Sequence, residues 1–351
     1  MEQMKKKKKR ILIGALVAMF SFPVADACTR VVYQGPNQTI LTARSMDWQT
    51  DIGTNLWIMP KGIERTGEVG PNSLKWKSIY GSVIATAYDM SCSDGMNEKG
   101  LVANILWLTE SEYPKWDQQK PGLSIALWAQ YVLDNFATVA EAVAALEQDH
   151  FTVITDKMPG TDRNGNVHLS LSDTEGDNAI IEYVKGELKI YHDKSYLVMT
   201  NSPTFDQQLA IQEYWKGIGG LHMLPGTNRA ADRFVRASYY MDVVPKVEDI
   251  RVATATAFSV IRNASVPLGI TTPDQPNISS TRWRTVSDHK NKIYYFESAL
   301  SPPHVFWVDL NEIDLSKKGQ IKKLNLINGE IYSGNASMLF KETPPFRFQG
   351  L

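Results

Sequence analysis

Cysteine is scarce in this chain: Cys28 and Cys92 are the two in 351 residues. That excludes a disulfide framework and a zinc site made of cysteines alone. Histidine is sparse as well. His150, His168, His192, His222, His289 and His304 are scattered without metal-ligand spacing. The sequence has no H-E-x-x-H, no G-x-x-x-x-G-K-[ST] and no G-x-S-x-G, so the signatures of zinc proteases, phosphate loops and serine hydrolases are missing. Basic residues number 37 against 38 acidic ones, and they concentrate only at residues 5–10. Nothing else resembles a nucleic-acid footprint, and no nucleic-acid partner is expected. No apolar run reaches the roughly 20 residues of a membrane-spanning helix, so stable membrane insertion is not expected. No Pro/Ser-rich linker divides the chain, which favours one domain over two.

What the chain does have begins at its start. Residues 5–10 are five lysines and an arginine, residues 11–22 are apolar, and Ala25-Asp26-Ala27 places small residues where a signal peptidase cuts. Residues 1–27 therefore read as a signal peptide, and residues 28–351 as one mature domain, periplasmic or secreted. A lipoprotein signal with a lipidated Cys28 is the alternative. It fits less well, because Ala25 stands where that motif favours Leu.

The mature part is strand-rich at first. Residues 29–33 and 39–43 are β-prone and flank the turn signal Gly35-Pro36-Asn37. Residues 55–59, 79–85 and 101–107 continue the pattern. Two helices follow: residues 124–135 carry apolar residues at helical spacing, and Thr138-Val139-Ala140-Glu141 is a capping box opening a second. Strands are expected again at 167–171, 179–183, 188–191 and 196–199. Helices are expected at 205–215, 230–241 and 252–263, and closing strands at 292–296 and 305–308. Strand clusters alternating with helix pairs do not make a doubly wound sheet. They suggest antiparallel sheets with helices on their faces, an α+β class.

Cleavage before Cys28 would put a thiol and a free α-amine on one residue. The amine, with an ordinary pKa near 8, could take the thiol's proton and later protonate a leaving amine. One residue would then supply nucleophile and base, and no histidine would be needed. The blander alternatives are a buried first strand residue, or a pair with Cys92. Arg44 and Asp47 lie on the next strand, near enough to pair back: Asp47 to hold the amine, Arg44 to favour thiolate. Asn201, at a strand end, is a candidate oxyanion donor or an ordinary turn former.

In order along the chain stand Cys28-Thr29-Arg30, Ala43-Arg44-Ser45-Met46-Asp47-Trp48, Asp94-Gly95-Met96-Asn97-Glu98-Lys99-Gly100-Leu101, Val198-Met199-Thr200-Asn201-Ser202-Pro203 and Asp232-Arg233-Phe234-Val235-Arg236. Together they resemble the choloylglycine hydrolases, or linear amide C–N hydrolases, of the N-terminal nucleophile superfamily. The family includes penicillin V acylases and bile salt hydrolases.

The resemblance implies a four-layer αββα sandwich of two antiparallel sheets. It implies Cys28 as nucleophile, Asp47 orienting its amine, Arg44 beside the sulfur, Asn201 in the oxyanion hole and Arg233 supporting the charges around the cysteine. Trp107 resembles the Gram-negative penicillin V acylase branch and is expected to line the substrate site. Only its main-chain N–H could serve an oxyanion hole. The implied reaction is thioester formation with amine release, then hydrolysis, with no cofactor and no metal. The expected partner is a small-molecule N-acyl amide such as penicillin V, with N-acyl-homoserine lactones as further substrates. Bile salt hydrolysis is the runner-up, and a non-catalytic exported binding protein or lipoprotein is the reading of another class. The stretch between Asn201 and Arg233 lacks the longer insertion from which tetrameric members build an interface, and homo-oligomerisation is left open.

Overall fold

The first two β-prone runs form a hairpin that seeds one of two large sheets. In the computed structural model, which describes residues 27–271 and 279–351, Ala27–Gln34 pairs antiparallel with Ile40–Trp48 across the Gly35-Pro36-Asn37 turn. The segment read as a signal peptide therefore lies outside the described residues, except for Ala27. Seven strands make up this sheet, in the order Val198–Met199, Ala27–Gln34, Ile40–Trp48, Ser280–Asp288, Ile293–Ser298, Val305–Asp309 and Gly334–Asn335. All neighbours are antiparallel except the last pair, which is parallel.

The second sheet has nine strands, ordered Glu187–His192, Asn178–Val184, Val167–Ser172, Val102–Trp107, Ser91–Asn97, Ser82–Ala87, Leu56–Met59, Lys322–Leu324 and Lys341–Glu342. It is antiparallel throughout. The two sheets stack face to face, with Ala27–Gln34 and Ile40–Trp48 against Val102–Trp107.

Helices cover both outer faces. Trp128–Asn135 lies on Ser91–Asn97 and Val102–Trp107, burying Trp128, Val132 and Leu133. Val139–Glu147 packs at the Asn178–Val184 side, and Thr138 caps it by accepting from the Glu141 N–H at 3.2 Å. Ala230–Val243 and Ile250–Asn263 cover the hairpin strands from the other side. The result is the αββα sandwich that the resemblance implied.

Alternation along the first strand decides what faces what. Cys28, Arg30, Arg44 and Met46 share one face, set by the pairs Cys28↔Met46 and Arg30↔Arg44. The Arg44 contacts with Ser93 O and Ile105 O identify it as the face toward the second sheet. Ala27, Thr29, Ser45 and Asp47 share the other face, toward the helices, where Arg233 of Ala230–Val243 reaches Thr29.

Among the strands not foreseen, two bear on the site. Ser91–Asn97 is polar and carries Gly95, so its composition argues against a strand. It forms because Ser93 and Asp94 turn between the sheets to meet Arg44, while a Cβ at Gly95 would stand 2.7 Å from Val83 O. Ser280–Asp288 is charged, but Trp283 is buried on the face of Met46 and Val286 on the opposite face, beside Ala43.

Candidate active site

An apolar cavity lies between the sheets, and Cys28 is in its wall. Arg44, Met46, Trp48, Ile52, Leu106 and Trp107 line it with Cys28. The Trp48 and Trp107 rings meet at 5.7 Å between centroids, tilted. Trp48 Nε1 donates to the Tyr88 hydroxyl at 3.0 Å, which fixes that wall. Of the predicted residues, Cys28, Arg44 and Trp107 line the cavity. Asp47, Asn201 and Arg233 sit immediately behind it, all but fully buried.

Both cysteines are free thiols, which closes the option of a Cys28–Cys92 pair. The Cys28 sulfur lies 3.8 Å from Met46 Sδ and 3.8 Å from the Asp47 carbonyl oxygen. Burial pushes the thiol above its ordinary value, opposed chiefly by the positive charge of Arg44 and further by Arg233. A nucleophilic role for this thiol would call for a base. Among the described residues no histidine lines the cavity. His168 is tied to Glu182 and the Thr200 carbonyl, and His289 to Thr42 and the Gly100 carbonyl.

The main chain of Cys28 is held at both ends. Its nitrogen donates to Asn201 Oδ1 at 2.5 Å, and its carbonyl accepts from Arg233 Nη1 at 2.6 Å. Arg233 Nη2 also donates to Asn201 Oδ1 at 2.8 Å, so one amide oxygen bridges the two. That orients the Asn201 amide group, whose Nδ2 donates to the Trp107 carbonyl at 2.7 Å. Each amide nitrogen carries two hydrogens, and the second is the one available to an incoming oxygen. The three residues drawn from positions 28, 201 and 233 form one continuous network.

Arg44 crosses to the second sheet. It donates to Ile105 O at 2.8 Å and Ser93 O at 3.3 Å, and its Nη1 lies 3.5 Å from Asp94 Oδ2. Its guanidinium stacks over Trp283 at 4.6 Å. Asp94 is held in turn by Tyr294 at 2.6 Å and Asn104 at 2.8 Å. These partners fix the charge beside the sulfur, which does not swing in solvent.

Asp47 lies opposite Ala27 in the strand pairing. Its carboxylate accepts from the Thr281 and Ser45 hydroxyls. Burial raises its carboxyl to about 6, against the pull of Arg233 and the Thr281 hydrogen bond. In the uncut chain the Ala27–Cys28 peptide continues the strand past Asp47. Removing Ala27 would open the space at that register position to the new amine.

Sequence reasoning missed Thr281, Asp94 and Tyr294. Only the pairing of Ile40–Trp48 with Ser280–Asp288 makes Thr281 a neighbour of Asp47. The alternation of Arg282, Trp283, Arg284 and Thr285 hints at a half-buried strand, but the bulge before Trp283 turns Thr281 to the opposite face, which the pattern does not show.

Comparison with known proteins follows the same line. A family model described as linear amide C–N hydrolases, choloylglycine hydrolase family, matches residues 28–323, starting at Cys28. A penicillin V acylase of Pectobacterium atrosepticum is 54% identical over 372 residues, covering 99% of each chain. The solved structure of a penicillin V acylase from Agrobacterium tumefaciens is 62% identical with a TM-score of 0.87, covering 92% of this chain and 100% of that one. A conjugated bile acid hydrolase from Clostridium perfringens, solved as a point mutant, shares the fold at TM-score 0.74 and 22% identity, over 88% of this chain and 98% of that one.

Proposed function

Because the chain belongs to the linear amide C–N hydrolases of the choloylglycine hydrolase family, we propose that it is an exported acylase of the penicillin V acylase type with Cys28 as its N-terminal nucleophile. The observation that carries this reading is the Cys28 thiol in the wall of an apolar cavity, with its own nitrogen, and no histidine, as the nearby group able to become a base. Removal of residues 1–27 on export to the periplasm or beyond turns that nitrogen into an α-amine. The amine takes the thiol proton directly or through one water, and Asp47 and Asn201 orient it.

The sulfur then attacks the amide carbonyl of a substrate whose acyl part fills the cavity. The oxygen gains negative charge facing Asn201 Nδ2 and the main-chain N–H of Trp107. Arg44 favours the thiolate throughout, from a position its partners fix. Collapse releases the amine, which takes the proton back from the Cys28 ammonium, and leaves a thioester. Water activated by the same amine hydrolyses it. The apolar, aromatic wall suits a phenoxyacetyl or aliphatic acyl group, so penicillin V and long-chain N-acyl-homoserine lactones are the proposed substrates. Relatives named penicillin V acylase match at 54% and 62% identity, whereas a bile salt hydrolase/transferase of Clostridium perfringens matches at 24%.

The test is a substrate panel of penicillin V, glycocholate and a long-chain acyl-homoserine lactone. Penicillin V should be cleaved with the higher kcat/KM relative to glycocholate. Glycocholate as the best of the three would overturn the assignment.

A further inference from the structure

Three segments far apart in sequence line the cavity that holds Cys28: the turn at residues 87–91, residues 124–126 and the loop at 156–165. One residue joins all three. The main-chain N–H of Gln349 donates to Met90 O at 2.9 Å. Its carbonyl accepts from Ser124 Oγ at 2.8 Å. Its side-chain Nε2 donates to Lys157 O at 2.8 Å. Gln349 also lines the cavity itself.

The segment carrying it is firmly docked. Phe346 stands edge-on to Trp57 at 4.8 Å and to Phe348 at 4.6 Å, and the Arg65 guanidinium lies 5.2 Å over Phe348. Past Gln349, a Cβ on Gly350 would stand 2.7 Å from Glu68 O, and the Leu351 N–H donates to that oxygen at 2.9 Å. All of this lies beyond residue 323, where the match to the family ends.

The loop at 156–165 is closed on itself by Thr155 Oγ1 donating to Gly165 O at 2.6 Å and the Gly165 N–H donating to Asp156 O at 3.0 Å. Those bonds shape the loop without setting its distance from the rest of the cavity. Two contacts set it: the Arg163 guanidinium lies 4.6 Å over the Trp107 ring, and the Gln349 side chain ties Lys157 O to a backbone already fixed on Met90 and Ser124.

We propose that Gln349 is a specificity-determining residue, a strap holding the 156–165 loop toward the 87–91 turn and so setting the width of the cavity that receives the acyl group. This rests on the reading of the cavity as the acyl site. A narrow, fixed wall favours a flat aryl group, whereas a released loop tolerates a longer, more flexible chain. Lining residues on the loop, Met158 and Pro159 among them, would move with it.

The experiment measures kcat and KM for an aryloxyacetyl amide and a decanoyl amide in the wild type, Gln349→Ala, Gln349→Glu and Gln349→Lys. Gln349→Glu keeps the shape and loses the N–H donor, and Gln349→Lys keeps a donor. Loss of one solvent-exposed hydrogen bond should raise KM for the aryloxyacetyl amide about twofold in the Ala and Glu variants, with kcat unchanged. KM for the decanoyl amide should stay level or fall, and Gln349→Lys should retain wild-type selectivity. Equal changes for both amides, a fall in kcat at constant KM, or no change at all would overturn the proposal. A wild type that cleaves neither amide would instead sink the acylase reading. A wild type that cleaves both, with a ratio indifferent to the donor at 349, would sink the strap alone.

Discussion

In the proposed mechanism Cys28 is two groups at once, and its surroundings would divide the work by face. The sulfur lies on the side of the strand toward the cavity, while Asp47 lies on the side toward the helices, where Arg233 also reaches. Cys28→Ser changes one atom within a packed site, so folding should persist with an unfolding midpoint near that of the wild type. Turnover should fall by at least about a thousandfold, as for the loss of other enzymatic nucleophiles. Circular dichroism with a turnover assay checks both. Retained turnover would mean that the nucleophile lies elsewhere.

Asp47 makes a separate prediction in the uncut chain. Its folded carboxyl sits at about 6, above the ordinary 3.8, so the native state keeps a proton that the unfolded state has lost. The stability linked to that proton is fully present below about pH 4 and is lost as pH rises through about 6. Asp94, Asp134 and Asp173 are shifted the same way, so the wild type and an Asp47 variant will both slope downward. The difference between them is the signal: Asp47→Asn should flatten the denaturant-unfolding free energy between about pH 4 and 6. Parallel curves would contradict the burial argument. At this scale the sequence was informative for Cys28, Arg44, Asn201 and Arg233, whose motifs survive as short strings. Thr281 was silent, and Asp94 stood in a motif without a role, because their meaning lies in a cross-strand or cross-sheet neighbour.

Elements differ in how they bear on the site. Ala230–Val243 carries Arg233, whose guanidinium satisfies Cys28 O, the Thr29 hydroxyl and Asn201 Oδ1. Arg233→Met would take that donor from each of them, leaving Asn201 Oδ1 with the Cys28 nitrogen alone, and each buried acceptor left unpaired costs about 1–3 kcal/mol. It should both destabilise the protein and lower kcat. Trp128–Asn135 is different, since its Leu133 packs only in the apolar layer outside the second sheet. Leu133→Ala should destabilise by about 2–5 kcal/mol while leaving kcat intact at low temperature. Denaturant titration paired with steady-state kinetics separates the two cases, and a kcat loss in Leu133→Ala equal to that in Arg233→Met would contradict the distinction. Helices and the first hairpin were legible from periodicity, caps and the Gly35-Pro36 turn. Ser91–Asn97 was not, because its polar residues become buried only after two sheets stack, and single-strand patterns do not carry that information.

In the whole molecule the proposed processing site, the proposed nucleophile and the proposed acyl cavity meet at one point. The resemblance, rather than hydrophobic pattern, disclosed the αββα stacking. Pattern alone gave strand and helix groups without their layer order. Residues 341–351 escaped notice because a tail acquires a role only through what it touches. Among the described residues no helix is long and apolar enough to cross a membrane. Export itself is proposed from residues 1–27 alone.

Everything in the mechanism depends on the α-amine of Cys28, which exists only if the Ala27–Cys28 bond is cut. The direct measurement is the intact mass of the exported, active protein before and after brief exposure to substrate at low pH. Active protein should begin at an unmodified Cys28 and gain the mass of one acyl group on trapping. Full activity in a chain that retains Ala27, or a Cys28 carrying lipid in the active species, would contradict the account.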